Sequence, residues 1–432
     1  MSAELHAANQ ATFKTTNKSI DILKPSSIHE TQQIVKSAFQ NRTPLYPLSS
    51  GKNWGNGTKV PWQDGCTLLD LSALNQIVDF DESIGLVTIQ PGVTQRQLLQ
   101  FLQEKNSNLM PAMTGSSLDS SLVGNILERG DGFGAHGERS RYANVREVIL
   151  PSGSIMRLDQ SCGPSLGGLF FQSNLGIVTQ MTLCLEQKPK FYHQAQFSSD
   201  STNALALEID CLRTLYQQKL ISYASIWNSH KIAARQQALD VHLPAWAGFG
   251  ALFAFNQEIA IAQIACVRKQ MPKVQIIQQE IDLNAFENIQ AVDPTREHCG
   301  LIWITCALPF KGIDVQRAME LIEHDFLAAG LAPQISLIAN DCQRIKLVIA
   351  IIYNREDFGM DDIAQNCHDK VLGKLIHAGY PPFRLGLQSY WASQDNALYA
   401  QIKDLIDPDH MLSPGHYSPL PKRFSSRSSS SL

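Results

Sequence analysis

Two clusters of small and polar residues have the composition to do chemistry. Between Pro47 and Gly57 the chain reads PLSSGKNWGNG, and between Gly115 and Gly137 it reads GSSLDSSLVGNILERGDGFGAHG. In the first, Gly51, Gly55 and Gly57 can adopt backbone angles that turn several N–H groups into one concavity, a nest that holds a diphosphate without a helix dipole. Ser49, Ser50 and Asn53 add donors, and Lys52 adds charge. A glycine-rich hairpin that binds nothing reads the same from this loop alone. In the second cluster Gly132-Phe133-Gly134-Ala135-His136-Gly137 fits G-x-G-x-x-G letter for letter. That motif binds a dinucleotide only between a strand and a helix, whose N-terminus meets the pyrophosphate. Here ERSRYANVREVIL follows and leads into a hairpin, so the reading is rejected.

Other reactive types are scattered. The nine cysteines are odd in number and never spaced C-x-x-C, which argues against a disulfide framework or a structural zinc site and for a reducing, cytoplasmic setting. His298-Cys299 and Cys367-His368 are adjacent, but one pair supplies too few ligands for a closed metal site, so no metal is expected.

The elements that must position these clusters follow from local pattern. Ser27-x-x-Glu30 is a capping box opening a helix with an Ile34, Val35, Ala38, Phe39 face. LYPLSSGKNWGNG followed by CTLLDL gives strand, loop, strand. Gly85 to Gly92 alternates as a strand, and Thr94-x-x-Gln97 then caps a helix burying Leu98, Phe101 and Leu102. Val145 to Leu150 and Ser154 to Leu158 flank Pro151-Ser152-Gly153 as a hairpin, and Gly176 to Glu186 is another strand. After Lys188-Pro189 glycine thins out and helical patterns multiply, which marks a domain boundary. Beyond it LIWITCAL and RIKLVIAIIYN read as strands. Asp314 is read as the cap of one helix, and Gly379 closes another. This alternation predicts a sheet with helices on one face.

At 432 residues two domains are expected, and 44% hydrophobic with 18% charged residues suits an ordinary globular enzyme. A net charge of -4 gives no broad positive field for nucleic acid. No run approaches the ~18 apolar residues of a membrane span, and the N-terminus lacks the apolar core of a signal peptide. The serine-rich tail over 424–432 is expected to be disordered.

PLSSGKNWGNG, VTIQPGVTQRQLLQFL, SSLVGNILERGDGFGAHGERSRYANVREVILPSG, LFFQSNLGIVTQMTL and DPDHMLSPGHY together resemble the vanillyl-alcohol oxidase and p-cresol methylhydroxylase (PCMH) flavoproteins, in that family's order. The resemblance spans about the first 190 residues and the last 50, and is weaker between. It implies an α+β fold: a PCMH-type FAD-binding domain of two subdomains over 1–190, an α+β cap with an antiparallel sheet flanked by helices over 191–380, and a return to the first domain over 381–423. By position, Pro47, Ser49, Ser50, Gly51, Lys52, Asn53, Trp54 and Gly55 would hold the pyrophosphate, with Pro91 and Gly92 along the cofactor. Gly115, Ser116, Ser117, Val123, Gly124, Asn125, Gly130, Gly137, Gly176, Ile177 and Val178 would meet ribityl, adenine or ring edges.

Departures from the family carry their own expectations. Many relatives attach FAD through a histidine in the loop or a histidine or tyrosine on a late strand. This loop has no histidine and the aligned strand residue is Leu347, so FAD is expected to bind without a covalent link. Relatives that oxidise 4-alkylphenols hold the phenolate with tyrosines and an arginine. Phe383-Arg384 stands where the family has Tyr-Arg, and Asn56 where it has a loop tyrosine. Two lost donors, each worth about 1.5–3 kcal/mol to a buried anion, argue against such a phenol. Arg384 would stabilise the anionic reduced ring. His136, placed where relatives have an active-site tyrosine, is the first-choice base, and Asp119 the second. Trp227, Trp246, Phe249, Phe253, Phe255 and Trp303 could line a pocket or belong to the core, whereas Tyr390 and Trp391 are better pocket walls. The expected activity is oxidation of a small organic molecule, such as a natural-product intermediate, at a C–H next to oxygen or nitrogen. Electrons would pass to O2 or another acceptor, and a homodimer is compatible. The alternatives are a nicotinamide-driven reductase on the same fold and a non-redox cyclase. Neither nucleic acid nor membrane is expected as a partner.

Overall fold

A computed structural model describes residues 2–158, 162–236, 243–282, 298–392 and 396–417. The expected 424–432 tail lies outside them. Three parallel strands come first, with Cys66–Asp70 between Ser19–Leu23 and Leu45–Leu48. The central strand is buried along its whole length, which its continuous CTLLD run dictates. The helix Ile28–Asn41 packs Val35 and Ala38 onto this layer. Ser27 caps it by accepting from the Glu30 amide, but Glu30 reaches back to Ser26 rather than to Ser27.

An antiparallel five-stranded sheet follows, ordered Ile77–Asp81, Leu86–Ile89, Ile177–Cys184, Ala143–Ile149, Ile155–Arg157. The helix Gln95–Glu104, capped by Thr94, buries Leu98 and Leu102 against it. The last strand in this sheet by sequence ends at Cys184.

From Phe191 the chain builds a third layer, seven antiparallel strands ordered Gln275–Gln279, Phe191–Ser199, Trp246–Ala254, Tyr223–Asn228, Gln334–Ala339, Arg344–Asn354, Cys299–Pro309. Strand period two divides its residues between two faces. Ile226, Ile304, Leu337, Leu347 and Ile349 share one core with the helices Thr202–Gln217, Gln257–Gln270, Gly312–Ala328 and Met360–His377. Tyr223, Trp227, Ser336 and Lys346 lie on the opposite face. There Phe133, from the first half of the chain, is packed edge-on against Tyr192, Tyr223 and Phe253 at 5.3–5.7 Å. Asp314 does not cap its helix. Lys311 holds the N-cap position, and the Asp314 carboxylate, one turn in, accepts from the Tyr380 hydroxyl.

The chain then returns to its first half. Lys403 and Asp407 form a fully buried pair, and Lys403 also donates to the carbonyls of Asn174 and Leu412. Leu45 donates to Met411 and accepts from Ser413, so the returning segment lies beside the first parallel sheet. No helix among the described residues is long and apolar enough to cross a membrane.

Candidate active site

A cleft of about 1120 Å3, its open mouth included, runs between the parallel strands and the antiparallel sheet. The strand Leu45–Leu48 delivers its first wall, Pro47 to Asn53. Gly51 turns this wall at φ +65°, where a Cβ would strike the Lys59 side chain. The second wall is the start of the helix Leu122–Leu127, with Val123, Gly124 and Asn125 lining the cleft. Ser121 caps that helix and donates to the Pro91 carbonyl, while Ser50 accepts from the Ser121 amide at 3.0 Å, tying the two walls together. Gly176, Ile177 and Val178, entering the strand Ile177–Cys184, form the third wall.

Arg384 closes one end. Its Nη2 donates to the Asn53 side-chain oxygen at 2.5 Å, and its Nε lies 4.0 Å from Glu128. Glu128 accepts from the Tyr417 hydroxyl at 2.8 Å and lies 3.4 Å from His416 Nε2. The His416 ring packs edge-on at 4.8 Å against Trp62. Burial pushes the His416 pKa down, with Glu128 opposing the shift and Arg384 adding to it. Burial and then Glu128 push the Tyr417 phenol well above its ordinary range. A neutral imidazole and a protonated phenol therefore flank one carboxylate beside one guanidinium.

These residues fit FAD. Serines, glycines and backbone amides form the walls where a diphosphate would lie, and a cation stands at one end where ring charge would develop. Three buried polar atoms of cleft-lining residues, Arg384 Nε, Asn125 Oδ1 and Thr58 Oγ1, have no hydrogen-bond partner among the described residues. Such groups are costly unless a ligand meets them.

Residues 21–159 match the family described as FAD binding domain. The chain is 33% identical to 1'-carboxy-chondrochloren decarboxylase of Chondromyces crocatus, across 95% of this chain and 92% of that protein. It is 24% identical to the 4-cresol dehydrogenase [hydroxylating] flavoprotein subunit of Pseudomonas putida, across 90% and 86%. The chain belongs to the vanillyl-alcohol oxidase and p-cresol methylhydroxylase family of FAD-binding oxidoreductases. The PCMH fold is correspondingly close. Substrate-bound p-cresol methylhydroxylase superposes with a TM-score of 0.87 at 23% identity, covering 97% of this chain and 93% of that one. The 4-ethylphenol oxidase of Gulosibacter chungangensis gives 0.85 at 20%, covering 98% and 94%.

Within this PCMH fold the predicted site residues divide. Pro47, Ser49, Ser50, Gly51, Lys52, Asn53, Pro91, Ser116, Val123, Gly124, Asn125, Gly176, Ile177, Val178 and Arg384 line the cleft. Trp54 and Gly55 instead hold the third sheet. The Trp303 indole donates to the Trp54 carbonyl, and a Cβ on Gly55 would meet that indole at 2.3 Å. Gly92 packs against the Ser72 carbonyl, and Ser117 is spent on the Asp119 amide and the Gln95 side chain. Gly115 and Gly130 are not among the lining residues, and Gly130 abuts the Asn125 side chain.

The structure does not bring His136 to the cleft. Glu186, buried, accepts from the Ala135 and His136 amides at 2.6 and 2.7 Å, and Gly137 turns at φ +78° beneath the Asn340 carbonyl. This turn aims His136 into a separate crevice, stacked on Tyr142 at 4.3 Å. Asp119 is also displaced as a base, because its 2.7 Å contact with Arg96 lowers its pKa and keeps it an ionised ion-pair partner. Asn56 is buried against Gly386, away from the cleft lining. Phe383 carries the Lys346 ammonium 4.9 Å from its ring centre. Trp391 is half-exposed, donates to Asp369 and is not among the cleft-lining residues, and the Tyr390 side chain lies outside the described residues.

Sequence reasoning missed Tyr46, Glu128, Gln172, Ser413 and His416, all of which line the cleft. Glu128 and His416 sit inside motifs that were recognised for their glycines and proline. The usable signal was a charged residue beside Gly130 and an aromatic pair after Gly415.

Proposed function

We propose that this FAD-linked oxidoreductase takes a hydride from a C–H next to oxygen or nitrogen of a small organic molecule, bound between Phe383-Arg384 and the inward face of the seven-stranded sheet. The observation carrying this reading is Arg384, a mostly buried guanidinium lining the cleft whose Nε has no hydrogen-bond partner among the described residues. FAD, when bound, would supply the hydride acceptor. Arg384, a cation in the cleft lining, would offset negative charge developing there, and the low local dielectric would strengthen that effect. Asn53 fixes one edge of the guanidinium, and the neutral His416 and protonated Tyr417 keep Glu128 paired beside it.

One observation favours a second form of the same chemistry. Neither His136 nor Asp119 offers a base in the cleft, and a relative 33% identical is named as a decarboxylase of a 1'-carboxy compound. A substrate that loses CO2 as its neighbouring carbon gives up a hydride needs no base, since the carboxylate's C–C electron pair fills the new double bond. Charge and atoms balance: one carboxylate yields one alkene, one CO2 and one hydride delivered to flavin. Anaerobic mixing tests both forms. Either should bleach the flavin without added nicotinamide, and only the second should release CO2 in equal amount. A panel of alcohols, amines and carboxylates that never bleaches the flavin overturns the reading.

A further inference from the structure

The inward face of the seven-stranded sheet carries a cationic cluster that the flavin chemistry does not use. The helix Ser229–Gln236 follows the strand Tyr223–Asn228 and lays Lys231 and Arg235 over the Trp227 ring, at 5.7 and 4.5 Å from its centre. The Lys231 ammonium donates to the Ser336 hydroxyl, and Ser336 stands opposite Trp227 in the ladder. Among the described residues no carboxylate is paired with Lys231. Two cations one helical turn apart repel, and burial pushes the Lys231 pKa down to about 8, with Arg235 adding to the shift. The protein thus holds an ammonium where solvent is scarce, against a neutral hydroxyl and a second cation. A buried ammonium with no carboxylate of its own among the described residues is stabilised by an anion that reaches it.

Its place relative to the cleft follows from register. Ser336 pairs with Val348 and Ile338 with Lys346, which makes Ser336 and Lys346 diagonal neighbours on this face, about 7–8 Å apart. Lys346 in turn covers Phe383, next to Arg384. Register therefore places Lys346 between Phe383 and the Lys231–Ser336 pair along this face, with Asp131 and Phe133 of the first half packed against it. The aromatic group of Tyr192, Tyr223, Phe249 and Phe253 borders the same face.

We propose that Lys231 and Ser336, with Arg235 beside them, form a subsite for the carboxylate of an otherwise apolar substrate whose other end reaches Phe383. One ammonium, one hydroxyl and one flanking guanidinium on an apolar floor suit a monoanion. A phosphate dianion would surrender more hydration than these few donors replace. This deepens the oxidoreductase reading by naming the substrate's chemistry, and it rests on that reading for the occupant being a substrate.

The test uses FAD-loaded protein and calorimetric titration with phenylacetate, 3-phenylpropanoate and 4-phenylbutanoate, their primary amides, and 2-phenylethyl phosphate. At least one acid should bind tenfold or more tightly than its amide and more tightly than the phosphate ester. Lys231→Met should erase that preference, Lys231→Arg should retain most of it, and Ser336→Ala should reduce it about threefold. An unchanged flavin spectrum and melting point in each variant establish that it is folded. If Lys231→Met does not fold, Ser336→Ala decides. Equal binding of acid and amide, a preference surviving Lys231→Met, no saturable binding of any acid up to about 10 mM, or tighter binding of the phosphate overturns the assignment. Flavin bleaching is read separately, so a failed oxidoreductase reading shows as silent flavin with acid binding intact.

Discussion

The Tyr417 hydroxyl donates to the Glu128 carboxylate at 2.8 Å, joining the returning end of the chain to the helix that forms the cleft's second wall. Both groups flank Arg384. The phenol occupies the carboxylate oxygen that faces the guanidinium, and Glu128 stays at ion-pair distance from Arg384 Nε, 4.0 Å, rather than accepting a hydrogen bond from it.

Arg384→Met should slow reduction of the flavin by substrate about 100-fold, the scale of losing one preorganised donor to developing charge. Anaerobic stopped-flow absorbance checks this. Reduction at the native rate would remove Arg384 from the reaction.

His416 should make the fold acid-sensitive. Its folded pKa lies below the ordinary 6.5, so its contribution is fully present above pH 6.5 and lost as pH falls toward and through the lowered value. His416→Gln should flatten the fall in melting temperature between about pH 6.5 and 5. A native-like slope in the variant would contradict this assignment.

Lys346 and Asp131 pair at 2.6 Å with side chains only 8% and 17% exposed, and Asn340 donates to the same carboxylate. The contact locks the loop after Glu128 to the seven-stranded sheet. Asp131→Ala should cost about 3 kcal/mol in urea unfolding, since it strands a nearly buried ammonium. Lys346→Met should cost less, because its partner keeps Asn340. Equal, small losses would show the pair to be solvated.

FAD should leave the protein when it is precipitated with acid. Leu347 points into the helix-packed core, and its neighbour Lys346, facing the other way, is engaged with Asp131. Yellow colour retained in the washed pellet would establish a covalent link instead.

Much of this was legible in the sequence. The Pro47 to Asn53 wall, the second wall and the Gly176 strand entry are read from local composition, because small residues and turn-forming glycines announce close backbone approach. What stayed hidden depends on long-range packing. Nothing near His136 reveals that Glu186, fifty positions away, captures its backbone amide and turns the ring aside. Gly55 and Gly137 read as cofactor glycines, yet both leave room for the third sheet, against Trp303 and the Asn340 carbonyl. Glycine reports that something approaches closely without saying whether it is ligand or protein. The pairing of Glu128 with Tyr417 likewise joins residues 289 positions apart.

The buried Lys403–Asp407 pair has a consequence for biogenesis. Asp407 gathers the Met411 and Leu412 amides, and this knot delivers Ser413 and His416 to a cleft whose other walls were translated hundreds of residues earlier. A ribosome finishes the entire seven-stranded layer before it makes the knot, and such distant closures form late. The nascent polypeptide should therefore remain flavin-free until this knot docks, which ties cofactor capture to the emergence of the 403–416 segment from the ribosome.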